Sequence, residues 1–522
     1  MSTKAILLLA FFEGVSVMFI ELLGGKMLIP YFGNSLIIWT TTIGVTMSSL
    51  MIGYFIGGYL SKLKNSLPVL FFLLTITAIW MALMPSIVRP IISKFSDAEL
   101  YSASIFSAVG LFALPLILFG ACPPILIAKL SANNKAGISS GRVFAISTIG
   151  SIVCALVVGF LIISKYGISG PLVVYGVLFF LLTVALLWNV FKEKLYFLIA
   201  ALPIALIVLA TNRSSIQLNS LFISESLQGQ LRVFDEGERI GQPRALQING
   251  VNQTRTFLDF NNPIMSNSGW WYVHLDGALA SHKPSGSDVL LMGFGGGSIA
   301  LELTNLKFNV DVVEIDARLP AIAHDYFLFD TSRVNFHIDD ARHFIKKQKT
   351  NKKYDLVVID LLHGEVQPNH IFTLEGLKEL KLLLKDDATV LVNYQSNFDE
   401  PKQPYLAILN TFWSAGYDAK MTNARKDRPA DYIFVASPTT LEEALFDDNH
   451  MNDCCFNNTN VLGFRKNPIY VDKDNINQYL TSELLVLTDN HPILETMNKE
   501  SIITWRKHMI DQTERIKFGL FK

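Results

Sequence analysis

The stretch Asp288–Asp316, DVLLMGFGGGSIALELTNLKFNVDVVEID, leaves few folds open to this chain. An apolar run from Val289 to Met292 meets Gly293, Gly295, Gly296 and Gly297. A helix-period segment follows, and a second apolar run, Val310–Ile315, closes on Glu314 and Asp316. This reads as strand, glycine turn, helix, strand. Glycines let the backbone turn tightly and approach a ligand closely, and an acid about 20 residues on accepts the hydroxyls of a ribose. The stretch therefore predicts a nucleotide fold and an adenosine-containing ligand, without saying which one.

The alternation continues downstream. Strands are expected at Asp288–Gly293, Val310–Ile315, Val334–Ile338, Tyr354–Asp360 and Ala388–Tyr394, with helix-period segments between them. Strict rotation of this kind argues for a parallel doubly wound sheet. Tyr417–Met421 and Tyr432–Ala436 read as an antiparallel hairpin closing its edge. Ahead of the sheet, Ser224–Phe260 is strand-like and turn-rich, and Trp270–Leu279 reads as a lead-in helix. Ligands of doubly wound sheets lie beyond the carboxyl ends of the strands. There the sequence places the glycine turn, Glu314 and Asp316, Asp339 and Asp340, Asp360 and His363, and Gln395. A lone strand-end acid is commonly a helix N-cap, and Asp340 before Ala341-Arg342 fits that reading. Three acidic strand ends around one crevice argue instead for a cofactor site. The acid pair after the third strand suits an adenine amino group. Asp360 stands where a transferred group and its acceptor meet. Both favour the S-adenosylmethionine class over nicotinamide.

The first 211 residues differ in kind. The chain of 522 residues is 50% hydrophobic and 17% charged, below the ~25% charge usual for soluble proteins, and the deficit is concentrated here. Seven apolar segments approach spanning length: Ala5–Leu23, Leu36–Leu60, Leu67–Ile92, Ser104–Ala128, Val143–Ser164, Gly170–Val190 and Leu195–Ala210. The expected organisation is a multi-pass α-helical membrane domain (1–211), a small β-element with its lead-in helix (212–285), a Rossmann-like domain (286–440) and a C-terminal extension (441–522). Glu13 and Glu21 lie within the first span. Each reads either as an interhelical hydrogen bond, with Lys26 as an interfacial partner for Glu21, or as part of a polar site in the bundle. With seven spans the Lys/Arg bias puts the N-terminus inside and the soluble half outside. Nucleotide cofactors argue the reverse, a cytoplasmic soluble half on an inner or plasma membrane. A net charge of -1 gives no basic field for nucleic acid. The cysteines Cys122, Cys154, Cys454 and Cys455 form no metal-binding or disulfide pattern.

With these residues in place the chain resembles the spermidine synthase family, and more closely its membrane-fused homologues. SESLQGQLRV, with Glu225 and Gln228, is similar to the family's entry strand. LQINGVNQT resembles its hairpin, and VVEID, DDARHFI, YDLVVIDLLHG and PNHIFTLEGLKELK resemble its later signatures. FIELLGGKMLIPYFGNSLIIWTTTIG, GRVFAISTIGSI and LTDNHPIL are similar to motifs of the fused group. The resemblance implies aminopropyl transfer from decarboxylated S-adenosylmethionine to a small-molecule amine. It implies Asp360 as base, with Tyr272 and His274 beside the acceptor. Glu314 would hold the ribose, Asp340 the adenine, and Gln228 and Gln253 would line the donor site. It also implies a homodimer, unless the membrane half replaces that contact. Three family acids are absent: the turn has Gly296, the hairpin Asn249, and the fourth strand His363. An acid-free turn tolerates the carboxylate of undecarboxylated S-adenosylmethionine, which keeps open a methyltransferase, or a non-catalytic adenosine-ligand sensor coupled to the bundle.

Overall fold

A computed structural model of the chain describes residues 2–32, 36–95, 100–132, 135–188, 220–237, 242–348, 352–362, 364, 366–396, 400–423, 430–441, 469–481 and 483–505. Two compact units emerge, Met1–Leu231 and Arg232–Lys522.

Among the described residues of the first unit, five helices are long and apolar enough to cross a membrane: α1 (Thr3–Phe32), α2 (Ile38–Leu60), α3 (Ser66–Ile92), α4 (Tyr101–Ser131) and α5 (Ala136–Tyr166). A sixth apolar helix, α6 (Ser169–Trp188), follows. The seventh expected segment, Leu195–Ala210, lies outside the described residues. This is an integral membrane protein. Small residues bring its helices into backbone contact, as lipid-embedded packing favours. A Cβ on Gly14 would lie 1.9 Å from the Ser147 carbonyl oxygen, and one on Gly150 2.2 Å from that of Phe11. Beside this seam the buried Glu13 accepts a hydrogen bond from Ser147 Oγ (2.6 Å), as the interhelical reading expects. Lys26 donates to the Leu227 carbonyl (2.9 Å). Glu225, on strand β1 (Phe222–Ser226), takes up the open N–H groups that start α6. Its Oε2 accepts from Ile168 N (2.8 Å) and Ser169 N (2.9 Å), which is helix capping by a carboxylate.

Strand β2 (Gly229–Asp235) runs across the division into the second unit. There β3 (Arg244–Ile248), β4 (Val251–Phe257) and the short β5 (Asn267–Ser268) pair antiparallel. Asn249 and Gly250, with φ of 52° and 81°, make the two-residue turn between β3 and β4. Both residues at positive φ is the preferred hairpin geometry, and Asn-Gly its preferred sequence. Helix α7 (Trp271–Ala280) leads into the main sheet.

That sheet contains β6 (Asp288–Met292), β7 (Asn309–Glu314), β8 (Val334–Ile338), β9 (Tyr354–Ile359), β10 (Leu384–Ser396), β11 (Asp418–Asn423), β12 (Ala430–Ser437) and β13 (Ile469–Val471). Its order is β13-β11-β12-β10-β9-β6-β7-β8. Strands β10, β9, β6, β7 and β8 are mutually parallel, and β12 and β11 are antiparallel. Helices α8 (Ser298–Asn305), α9 (Leu319–Phe327), α10 (Ala341–Lys347), α11 (Leu374–Lys381) and α12 (Pro404–Ser414) intervene. Strands covered on both faces need continuous apolar runs; Leu290, Met292, Val357, Ile359, Val390 and Val392 supply them and anchor the core. This is the expected Rossmann-like sheet. Two details differ from expectation. Strand β10 is longer than Ala388–Tyr394, because a register irregularity lets Leu384 rejoin Tyr354. The polar tail also contributes: β13 pairs with Met421–Asn423 at the sheet edge.

Candidate functional site

The strand registers bring the signature residues into one row. Val313 pairs with Met292, Met292 with Ile359, and Ile359 with Val392. The next residue on each strand is therefore Glu314, Gly293, Asp360 and Asn393, in order across four neighbouring strands. Gly293 is required there. Its φ is 91°, and a Cβ would lie 2.1 Å from the Asp360 carbonyl oxygen. Gly295 and Gly297 also have positive φ, and Gly297 starts α8.

Glu314 is buried among backbone donors. Its Oε2 accepts from Phe294 N (3.0 Å) in the glycine turn and its Oε1 from Asp316 N (2.8 Å). Burial outweighs those bonds and pushes its carboxyl up to about 7. A ribose bound at Glu314 would donate its hydroxyls to the carboxylate and so select the ionised form. Affinity for such a ligand is expected to rise with pH through about 7. On the acid side it should fall by up to about tenfold per pH unit, which titration calorimetry across that range checks. Stability of the ligand-free protein moves oppositely. A carboxyl raised above its unfolded value contributes stability that is full below that value and lost as pH rises through about 7.

The acid missing at Gly296 has a structural counterpart. Gly296 N donates to Thr254 Oγ1 (2.8 Å), and a Cβ at 296 would lie 2.7 Å from Thr254 Cγ2. The β4 side chain fills the space into which a turn aspartate would project. One residue earlier, Gln253 Nε2 donates to the Gly364 carbonyl (2.7 Å) in the loop after Asp360. The β3–β4 hairpin is thus tied to the segments that follow Gly293 and Asp360.

The other expected residues fall as follows. Asp340 is the N-cap of α10: its Oδ1 accepts from His343 N (3.0 Å), and its Oδ2 lies 3.3 Å from His370 Nε2. It lines a cleft of about 580 Å³ with His343, Asn369, His370 and Asp489. Tyr272 is buried on α7. His274 is clamped between Glu302 Oε1 (3.0 Å from Nδ1) and the Ser268 carbonyl (3.1 Å from Nε2). Both partners accept, and together they favour the charged ring. Burial disfavours that charge, but Glu302 and Ser268 outweigh it and hold His274 above its ordinary value. Gln395 lies on β10, two residues beyond Asn393. Gln228 belongs to the first unit, in the turn after β1, with its N–H donating to Ser226 Oγ (3.2 Å). His363 lies outside the described residues.

Three contributors escaped the sequence reading. Thr254 is one. Asp276, fully buried on α7, is another; an acid inside an apolar helical run was its available signal. The third is a pair linking distant motifs. Arg342 of DDARHFI donates to Asp489 of LTDNHPIL (3.1 Å) and forms a short ion pair with Glu379 (2.5 Å). Nothing in either motif alone points to the other.

The fold and this row of residues define a Rossmann-like domain of the S-adenosylmethionine-binding transferase type, carried by a chain that also has a membrane bundle. Residues 274–406 match the family described as spermine/spermidine synthase domain. The chain is 33% identical over 150 residues to a polyamine aminopropyltransferase of Vibrio vulnificus, covering 27% of this chain and 50% of that one, so the match spans half of that relative. It is 23% identical over 436 residues to polyamine aminopropyltransferase 2 of Aquifex aeolicus, covering 80% of this chain and 84% of that one. Among solved structures it is similar to a probable spermidine synthase from Corynebacterium glutamicum, with 16% identity and a TM-score of 0.41, over 52% of this chain and 94% of that one. The protein thus carries a C-terminal spermidine-synthase-like domain fused to an N-terminal multi-helix membrane region, matching the polyamine aminopropyltransferases at low identity.

Proposed function

We propose that the second unit transfers an aminopropyl group from a decarboxylated S-adenosylmethionine-type donor to an amine, with Asp360 as the base. The acceptor nitrogen attacks the carbon next to the sulfonium, the carbon–sulfur bond breaks, and the thioether leaves with the electron pair. The nitrogen sheds one proton, which Asp360 takes. Glu314 and the glycine turn hold the adenosyl half.

The observation that carries the reading is a surplus of buried acceptors beside Asp360. Among the described residues, the side-chain oxygens of Gln367, Asn393 and Gln395 are buried with no hydrogen-bond partner. Gln367 is tied to the row, since its Nε2 donates to the Asn393 backbone carbonyl (3.1 Å). An orphaned buried acceptor costs about 1–3 kcal/mol, and a ligand rich in N–H donors, as an amine is, relieves that cost. The relatives named as polyamine aminopropyltransferases support this choice.

A second reading has its own observation. With Thr254 against Gly296 the turn carries no acid, and the carboxylate of full S-adenosylmethionine meets no repulsion there. Mass spectrometry of products from the purified full-length protein, given each donor and a panel of amines, decides between them. An amine heavier by one aminopropyl unit, formed only with the decarboxylated donor, is the expected result. A methylated product, or turnover with the full donor alone, would overturn the aminopropyl reading.

A further inference from the structure

The three family acids absent from this chain leave unanswered what counters the charge of a cationic acceptor. Asp276 supplies an answer from a different element. It lies on α7, and its side chain is fully buried. Its Oδ2 accepts from Asn393 Nδ2 (2.8 Å), which ties it to the row containing Asp360. Its Oδ1 is buried with no hydrogen-bond partner.

Other buried acids of this unit are provided for. Asp311 has Lys352, Tyr354 and Asn335. Asp316 has Arg318, and Glu400 has Ser501. A buried carboxyl that serves structure alone is expected to be saturated in this way, because an unmet acceptor is costly. Asp276 instead meets one neutral amide and two like charges, those of Asp360 and Glu302. Burial first, and then those acids, push its carboxyl well above the usual range. Glu302 is engaged by His274. Among the described residues Asp276 has no cationic partner.

Resting on the amine-transfer reading above, we propose that Asp276 is a specificity-determining residue for the acceptor, holding its ammonium group. A neutral amine nitrogen takes the Asp276 proton and becomes the ammonium of a buried ion pair, so charge and protons balance without any other reactant.

The test uses the full-length protein and the isosteric Asp276→Asn variant, which retains an acceptor for Asn393. Asp276→Ser serves as a second variant if the first fails to fold. With product formation as readout, acceptor KM is expected to rise roughly 30-fold or more. Donor KM and kcat should stay within about threefold. A merely structural role would leave acceptor KM unmoved, and that result overturns the assignment. Calorimetric binding of the amine panel in the presence of methylthioadenosine reads the same site without turnover. Amine binding by the wild type that the variant loses supports the role of Asp276 even if no product forms, in which case only the aminopropyl-transfer reading falls. Amine binding that is equal in wild type and variant, or absent from both, overturns the role of Asp276.

Discussion

An Asp360→Asn protein is expected to fold, bind an adenosyl ligand as tightly as the wild type, and form product about 10²–10⁴ times more slowly. The separation follows from how the residue is held. Its backbone is fixed independently of its carboxylate: the N–H donates to the Met292 carbonyl (2.9 Å), and the carbonyl packs against Gly293. Asparagine keeps the shape and removes the basic oxygen. In the aminopropyl-transfer reading the attacking nitrogen must lose a proton. Asn393, Gln367 and Gln395 are neutral amides and Glu314 is bonded to the glycine turn, so none of them replaces the base. Single-turnover product formation beside calorimetry of ligand binding checks both halves. A variant with wild-type turnover removes Asp360 from the chemistry. One that also loses the ligand shows that its role is structural.

The parts of this site legible in the sequence are those set by strand chemistry. Parallel strands buried on both faces demand apolar runs, so β6, β7 and β9 were readable to within a residue. Their carboxyl ends were readable with them, which placed Glu314, Gly293 and Asp360 together before any coordinates. What stayed hidden depends on contacts between distant segments. Whether Gly296 is an eroded site or a packed one is decided by Thr254, 42 residues earlier. His274 looks like a free ring beside the acceptor until Glu302 and Ser268 close on its two nitrogens. Asp340 was readable in both of its roles, and the hydrogen bond from His343 N establishes the capping one. Glu225 reads as part of the family's entry strand, and its carboxylate caps α6. Strand β13 has only three residues within a polar tail, too few to show a period.

Gly293→Ala is expected to lose stability, ligand binding and activity together, in contrast to Asp360→Asn. Two costs add at this position. A residue with a Cβ at φ of 91° is strained by about 1–2 kcal/mol. The methyl would also lie 2.1 Å from the Asp360 carbonyl oxygen, which is backbone and has no rotamer to yield. The end of β9 must then move away from β6, breaking the bond from Asp360 N to Met292 O and displacing both Asp360 and the turn that meets Glu314. The total is expected at roughly 3–5 kcal/mol, the range reserved for collisions and backbone strain at special positions. Gly286 provides the control. Its φ is 86° and a Cβ there meets nothing within 4 Å, so Gly286→Ala carries the strain without the collision. Thermal denaturation of the full-length protein, followed alongside adenosyl-ligand binding, should show a small loss for Gly286→Ala with binding intact. Gly293→Ala should show a large loss with binding abolished. Equal behaviour of the two variants would mean that positive φ alone sets the need for glycine, and that the close approach of β6 to Asp360 does not hold the site together.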